Sequence, residues 1–372
     1  MASVNRGRVE LGSSAKGSAQ MTRSSGMGLR RAVENAENAK QVYDEAVVID
    51  GLNASNWDSR AVFESLHAGG VTALNATVAT WENFQETMDN IAVWLHRFSD
   101  YGDLLTQVRT VADILQAKED GKVGVILGFQ NASPIENHLD RLALFHALGV
   151  RIIQITFHEG NLLGGGCYER NDYGLTNFGV DAIREMNRLG ILIDLSHVGV
   201  RTTMDAIELS EKPVAVTHAN AKPYFDVPRN KTDEAVKLLA ERGGVVGVTC
   251  ITSFLRTGSD STVEDYVDAI DDMVERIGID HVGVGTDYTQ DQPESFWRYI
   301  NAQQGTSFPL KAILGRTPTT MADQSYYPKG LETPDKLPNL ADVLMKRGYT
   351  SADTTKILGG NFLRLFGEVW EE

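Results

Sequence analysis

The chain has 372 residues, 42% hydrophobic and 23% charged, the composition of an ordinary globular protein. Its 35 lysines and arginines stand against 50 aspartates and glutamates, a formal net charge of −15. That balance argues against a nucleic-acid footprint and against attraction to an anionic membrane surface. Two cysteines, Cys167 and Cys250, are too few for a disulfide framework and form no CxxC pair, so they read as free thiols.

The first 26 residues are rich in Ser and Gly with scattered Arg and Lys, and lack the apolar segment of a secretory signal. They read as a flexible arm. No stretch reaches the roughly 18–20 apolar residues that a membrane helix requires, and the expected location is cytoplasmic. Eight short apolar, β-branched runs follow in order: 46–53 (AVVIDGLN), 70–79 (GVTALNATVA), 123–130 (VGVILGFQ), 149–157 (GVRIIQITF), 190–198 (GILIDLSHV), 213–220 (PVAVTHAN), 243–251 (GGVVGVTCI) and 281–288 (HVGVGTDY). Unbroken apolar runs are the signature of parallel strands buried on both faces. Between them lie helical patterns at 81–116, 139–148, 177–188, 202–210, 233–242 and 263–277. Eight such units without a break in composition predict one α/β domain over 27–372, a (β/α)8 TIM-type barrel. The stretch 290–339, rich in Pro, Gly and aromatics, reads as a long loop near the barrel mouth, with Phe296, Trp297 and Tyr299 placed to close over a ligand or to pack the loop itself. Helices at 340–345 and 351–365 close the fold.

Function in such a barrel concentrates at the C-terminal ends of the strands. The eight runs end in Asn53, Thr77, Gln130, Thr156, His197, His218, Thr249 and Asp287. An ionisable group ending an apolar strand costs burial energy unless it is used or paired. His197 in DLSH and His218 in VTH would end consecutive strands, side by side at the rim, where imidazoles suit Zn²⁺ and similar ions. Asp287 ends the eighth run. His67, His96, His138, His146 and His281 fall on helices, loops or a strand start and read as structural or surface residues, with His158 held in reserve.

The segments GVRIIQITFHEGN, DAIREMNRLGILIDLSHVG, PVAVTHAN, PRN, GVGTDY and LGGNFLRLF resemble, in this order, the membrane (renal) dipeptidase family of metallopeptidases. The resemblance spans about residues 46–366 and implies an amidohydrolase-like barrel with a two-zinc dipeptidase site. It assigns His197 and His218 to the second metal, Arg229 to the substrate's terminal carboxylate, and Asp287 to proton transfer at the scissile bond. The planar guanidinium fork suits a carboxylate. The departures are as informative. The family's first strand ends DGHND, whereas this chain reads Asp50-Gly51-Leu52-Asn53-Ala54, so Leu52 and Ala54 replace two ligands of the first metal. Gln130 stands at the position of the bridging Glu. The fourth-strand LTH becomes Ile155-Thr156-Phe157, with His158 one residue late and pointing elsewhere unless the strand has already ended. Neutral replacements leave no stranded negative charge in a buried mouth.

These residues imply one Zn²⁺-like divalent ion, held by His197, His218 and Gln130 or Asp287, and no second metal. The expected activity is hydrolysis of a dipeptide or an N-acyl amino acid, with Asp287 and His158 catalytic. The substrate is a small molecule with a carboxylate, bound by Arg229, with Asn53 and Tyr288 as further polar contacts. A lyase, isomerase or decarboxylase acting on a small carboxylate is the alternative on the same frame, and a non-catalytic carboxylate-binding protein ranks last. A homodimer is compatible with the resemblance.

Overall fold

The computed structural model describes Met1, residues 38–302 and residues 326–370. Residues 2–26 of the expected arm and 303–325 of the expected loop lie outside them. Nine parallel strands run in chain order: β1 (Ile49–Asn53), β2 (Ala73–Ala79), β3 (Leu105–Gln107), β4 (Val123–Phe129), β5 (Val150–Gln154), β6 (Leu192–Asp194), β7 (Ala215–Val216), β8 (Val245–Val248) and β9 (Val282–Val284). Pairings β1–β2, β2–β4, β4–β5 and onward to β9–β1 close eight of them into the expected barrel. No helix among the described residues is long and apolar enough to cross a membrane.

The ninth strand corrects the sequence reading of 81–116 as one helical stretch. That stretch divides into a helix at Phe84–Asp100, strand β3 and a helix at Val111–Glu119. The second helix begins where Thr110 Oγ1 accepts the Asp113 N–H at 3.2 Å and the Asp113 carboxylate accepts the Thr110 N–H at 2.8 Å. Strand β3 pairs with the lower half of β4, from Leu105↔Val123 to Gln107↔Val125, while β5 pairs with the upper half.

Inside the barrel, Ile49, Ala73, Ile126, Ile152, Leu192, Ala215 and Val245 form one apolar cluster with Phe362, Leu365 and Phe366. The C-terminal helix Asn361–Val369 thus closes the barrel floor. The Phe362 ring fills the axis, so that a β-carbon at Gly283 would lie 2.7 Å from it and one at Gly51 2.9 Å. Above it, Gly51, Gly247 and Gly285 all crowd the Thr217 carbonyl, and a β-carbon on any of them would overlap that oxygen. The larger core lies between strands and outer helices. Because Phe362 supports several strands at once, Phe362→Ala should cost about 3–5 kcal/mol in urea unfolding. Leu115→Ala, at a side chain 44% exposed, should shift stability by no more than about 0.5 kcal/mol.

Candidate active site

The site is built around a carboxylate below the rim. Asp194, the last residue of β6, is buried and accepts four hydrogen bonds. Oδ1 takes the Ser196 hydroxyl at 2.5 Å and the Ser196 and Thr217 backbone N–H groups at 3.0 Å each. Oδ2 takes the Thr217 hydroxyl at 2.7 Å. Burial raises the pKa of this carboxyl, and the four donors act against that rise. Ser196 and Thr217 immediately precede His197 and His218, so the same carboxylate sets the register of both histidines.

The Thr217 oxygen, having given its proton to Asp194, accepts from His218 Nδ1 at 2.8 Å. The network therefore assigns the Nδ1–H tautomer to His218 and leaves a lone pair on Nε2. His218 Nε2 lies 3.0 Å from His197 Nε2. Two imidazoles sharing one tetrahedral Zn²⁺ would have their nitrogens about 3.3 Å apart, so the pair fits a common ion. Burial, then the Arg229 charge, pushes both histidines well below the usual pKa, which keeps them in the neutral, ligating form.

His158 joins this pair. Strand β5 ends at Gln154, so alternation no longer governs position 158. His158 has φ +51°, and the Glu159 N–H donates to the Phe157 carbonyl at 2.5 Å, a γ-turn about a non-glycine residue. Gly166 makes the turn feasible, since a β-carbon there would overlap the His158 carbonyl. The His158 ring lies 4.8 Å from that of His197 and 4.9 Å from that of Tyr168, and the Phe157 ring lies 4.0 Å from His158 and 4.2 Å from His197. Nδ1 of His158 and Nδ1 of His197 are buried with no hydrogen-bond partner. Burial, then Arg229, lowers the His158 pKa to about 3, so it stays neutral at ordinary pH.

Two buried basic side chains brace the turn that carries His197. Arg229 donates from Nη1 to the Ser196 carbonyl at 2.5 Å and from Nη2 to the His218 carbonyl at 2.6 Å, while its Nε–H is buried without an acceptor. Lys231 donates from Nζ to the Val198 carbonyl at 2.7 Å. Burial and the neighbouring Arg229 lower its pKa to about 7. Asp287 is half-buried with φ +59°, its backbone N–H bonded to the Leu52 carbonyl at 3.0 Å. Burial raises its carboxyl to about 7 against the attraction of Arg229, whose field therefore reaches it.

Other expected contacts are committed elsewhere. Asn53 donates to Asp50 Oδ2 at 3.2 Å and accepts the Ser55 N–H at 3.1 Å. Tyr288 packs in the outer core, and its hydroxyl is spent on the Leu331 carbonyl at 2.9 Å. Neither is brought to the imidazole pair. Gln130 is buried, with Nε2 donated to Thr77 Oγ1 at 2.9 Å. Leu52 and Ala54 are buried apolar side chains. Among the described residues, no three His, Cys, Asp or Glu side chains group closely enough to hold a metal ion. The chain thus fits half a metal site, with two imidazole donors, and does not fit a carboxylate-bridged pair of ions.

Of the described parts of the 290–339 segment, the helix Glu294–Ile300 meets Trp81 at this end of the barrel, while 334–336 packs against Ser65 and Gly69 at the end of the helix Arg60–Ala68. Trp81 Nε1 donates to the Ile300 carbonyl at 3.4 Å, and the Trp81 ring meets Phe157 edge-on at 5.1 Å. Trp297 stacks on Tyr326 at 4.8 Å and against Phe296 at 5.4 Å, so these aromatics pack the segment itself. Sequence reasoning missed Asp194, Lys231 and Tyr168. The hydroxyl residue before each histidine, Ser196 and Thr217, is the signal that could have exposed Asp194. Lys231 stands just before the helix-capping Thr232 and reads as a surface lysine.

A solved amidohydrolase structure from Pseudomonas aeruginosa superposes with a TM-score of 0.85 at 40% identity, covering 90% of this chain and 99% of that one. Dipeptidase verJ of Clonostachys rogersoniana is 27% identical over 298 residues, 79% of this chain and 67% of its own. An uncharacterised dipeptidase of Schizosaccharomyces pombe is 30% identical over 293 residues, 76% of this chain and 62% of its own, so the chain spans under two thirds of that relative's length. The model of the membrane dipeptidase family matches residues 36–297 and 321–371, and the chain belongs to that family, peptidase family M19.

Proposed function

We propose that the chain is a metal-dependent hydrolase of the dipeptidase type, cleaving a dipeptide or an N-acyl amino acid through a one-ion site. The observation that carries this reading is the convergence of His197 and His218 Nε2 at 3.0 Å, with the His218 tautomer set by Thr217. His197 and His218 would hold the ion, with Gln130 as the candidate protein oxygen. When bound, a divalent ion supplies Lewis-acid polarisation of the scissile carbonyl.

The chain's own groups complete the chemistry. Asp287, whose carboxyl sits near 7, is poised to take a proton from the attacking water and return it to the leaving nitrogen. Neutral His158 offers a hydrogen bond to the substrate carbonyl, which its unpartnered Nδ1 and constrained backbone support. The spare Nε–H of Arg229 is a buried donor awaiting an acceptor, and a substrate carboxylate meets that need. Trp81 and Phe157 exclude water from one side. Family membership favours hydrolysis over the lyase, isomerase or decarboxylase alternative.

The test is a panel of dipeptides and N-acyl amino acids assayed with added Zn²⁺, beside metal analysis. The expected result is turnover with about one zinc per chain, both lost in His197→Ala and in His218→Ala. Zinc retained by those variants, or no hydrolysis across the panel, would overturn the reading. Asp287→Asn should lower kcat by about 10²–10⁴-fold while zinc content is kept.

Asp287 also gives a pH signature in metal-free protein. A folded carboxyl raised to about 7, against about 3.9 unfolded, contributes stability that is fully present below the unfolded value. That contribution is lost as pH rises through about 7. The stability of Asp287→Asn relative to the parent, read from urea midpoints, should therefore increase between about pH 4 and pH 7. A difference that stays flat across that range would contradict the assignment.

A further inference from the structure

The backbone on either side of Asp287 is tied down, and two of its ties lead to one buried carboxylate. Asp50, on β1, is 1% exposed. Its Oδ1 accepts the Thr286 N–H at 2.8 Å, and its Oδ2 accepts the Thr286 hydroxyl at 2.6 Å and Asn53 Nδ2 at 3.2 Å. The Thr286 oxygen, its proton given to Asp50, accepts the Tyr288 N–H at 3.2 Å. Between these two, the Asp287 N–H goes to the Leu52 carbonyl at 3.0 Å. The Thr286 carbonyl accepts from the Cys250 thiol at 3.3 Å. The strand ladder supplies little of this restraint. It pairs Asp50 with Val284 and resumes as an isolated bridge from Asn53 to Tyr288.

The same construction occurs at Asp194, whose carboxylate takes the N–H and the hydroxyl of Thr217 while the Thr217 oxygen meets His218 Nδ1. In both places an aspartate on one strand holds, by both its donors, a threonine just past the end of the neighbouring strand. The residue after that threonine is His218 in one case and Asp287 in the other. Burial raises the Asp50 carboxyl to about 6, and the groups that oppose the rise are hydrogen-bond donors rather than cations. An apolar pair could close the seam between β1 and β9 without burying a carboxyl, but it could not restrain Asp287 at φ +59°, a conformation strained for a residue with a side chain. We propose that Asp50 is a positioning residue for Asp287: acting through Thr286, it holds Asp287 in the left-handed conformation that sets where its carboxyl stands. The proposal rests on the reading of Asp287 as the proton-transfer group and names what aims it.

Amide hydrogen exchange on the full chain tests the positioning, and kinetics test its use. Thr286→Val keeps the side-chain shape and the N–H held by Asp50 but removes the hydroxyl. The Tyr288 amide should then exchange at least about tenfold faster than in the parent, while the Ser196 and Thr217 amides change by less than about threefold. Asp50→Asn, which sets a donor where the Thr286 hydroxyl donates, should do the same, and Thr286→Ser should restore the parent rates. On a dipeptide that the parent cleaves, Thr286→Val should lower kcat at least about tenfold with KM within about twofold, and Thr286→Ser should recover it. An unchanged Tyr288 rate, or acceleration shared equally by the Ser196 and Thr217 amides, would overturn the positioning role and reduce Asp50 to a bond across the seam. Acceleration confined to Tyr288 with kcat unchanged would leave the positioning standing and overturn the proton-transfer reading of Asp287 instead.

Discussion

The Asp194 carboxylate is the joint on which the site depends. It sits at the end of β6 and collects hydroxyl and backbone donors from Ser196 and Thr217, on two successive strand ends. Each donor residue is followed at once by a histidine, so fixing the donors fixes the imidazoles. A charge-assisted hydrogen bond is shorter and stronger than a neutral one, and here four of them converge where solvent cannot compete. The carboxylate also reaches the site chemically, because Thr217 can accept from His218 Nδ1 only by giving its own proton to Asp194. The floor below serves the same residue. Gly51, Gly247 and Gly285 leave room for the Thr217 carbonyl, and Phe362 supports them from beneath. Packing at the barrel axis and the tautomer at its rim are thus parts of one arrangement.

Electrostatics explains why the residues that depart from the family's pattern do so together. On the alignment that the resemblance implies, Ala54 and Gln130 stand where it places carboxylates and Leu52 where it places a neutral imidazole, so the first two changes would remove negative charge from the mouth. If the carboxylates had stayed without their ions, each would be an uncompensated buried charge. Burial first, and the Arg229 charge after it, depress the basicity of His197 and His218.

Much of this was legible in the sequence, for identifiable reasons. Parallel strands buried on both faces appear as unbroken apolar runs, and all eight barrel strands fall inside the runs at 46–288. Strand β3 escaped because it pairs only along the lower part of β4 and carries one buried side chain, Leu105, beside the half-buried Thr106 and Gln107. Strand ends pointed to His197 and His218, whose rings the fold brings together, because a polar group at the end of an apolar run needs a use. The same logic misdirected Asn53 and Tyr288, whose polar atoms are consumed by Asp50, Ser55 and Leu331. Nothing in a run of letters distinguishes a polar group that faces a cavity from one that ties two segments together. Lys231 was invisible for the converse reason, since a lysine beside a helix cap is ordinarily solvated.

His158 shows how a site can survive a one-residue displacement. Position 157 is a phenylalanine, whose ring packs between Trp81 and the imidazoles and serves as wall. The imidazole one residue later is brought back by a γ-turn with positive φ, and Asp287 across the ring also takes positive φ. Such conformations cost roughly 1–3 kcal/mol each for a non-glycine residue. They persist only where surrounding bonds over-determine them. At His158 the restraints are the Tyr168 N–H on its carbonyl at 2.7 Å and the close approach of Gly166; at Asp287 they are the Leu52 carbonyl and the Tyr327 hydroxyl, the latter at 3.0 Å. His158 follows β5 and Asp287 follows β9, four strands apart on the eight-stranded ring, so the two constrained residues stand across the barrel mouth from each other. At His158 the strain is held by the same turn that stacks its ring on Phe157 and sets it beside His197.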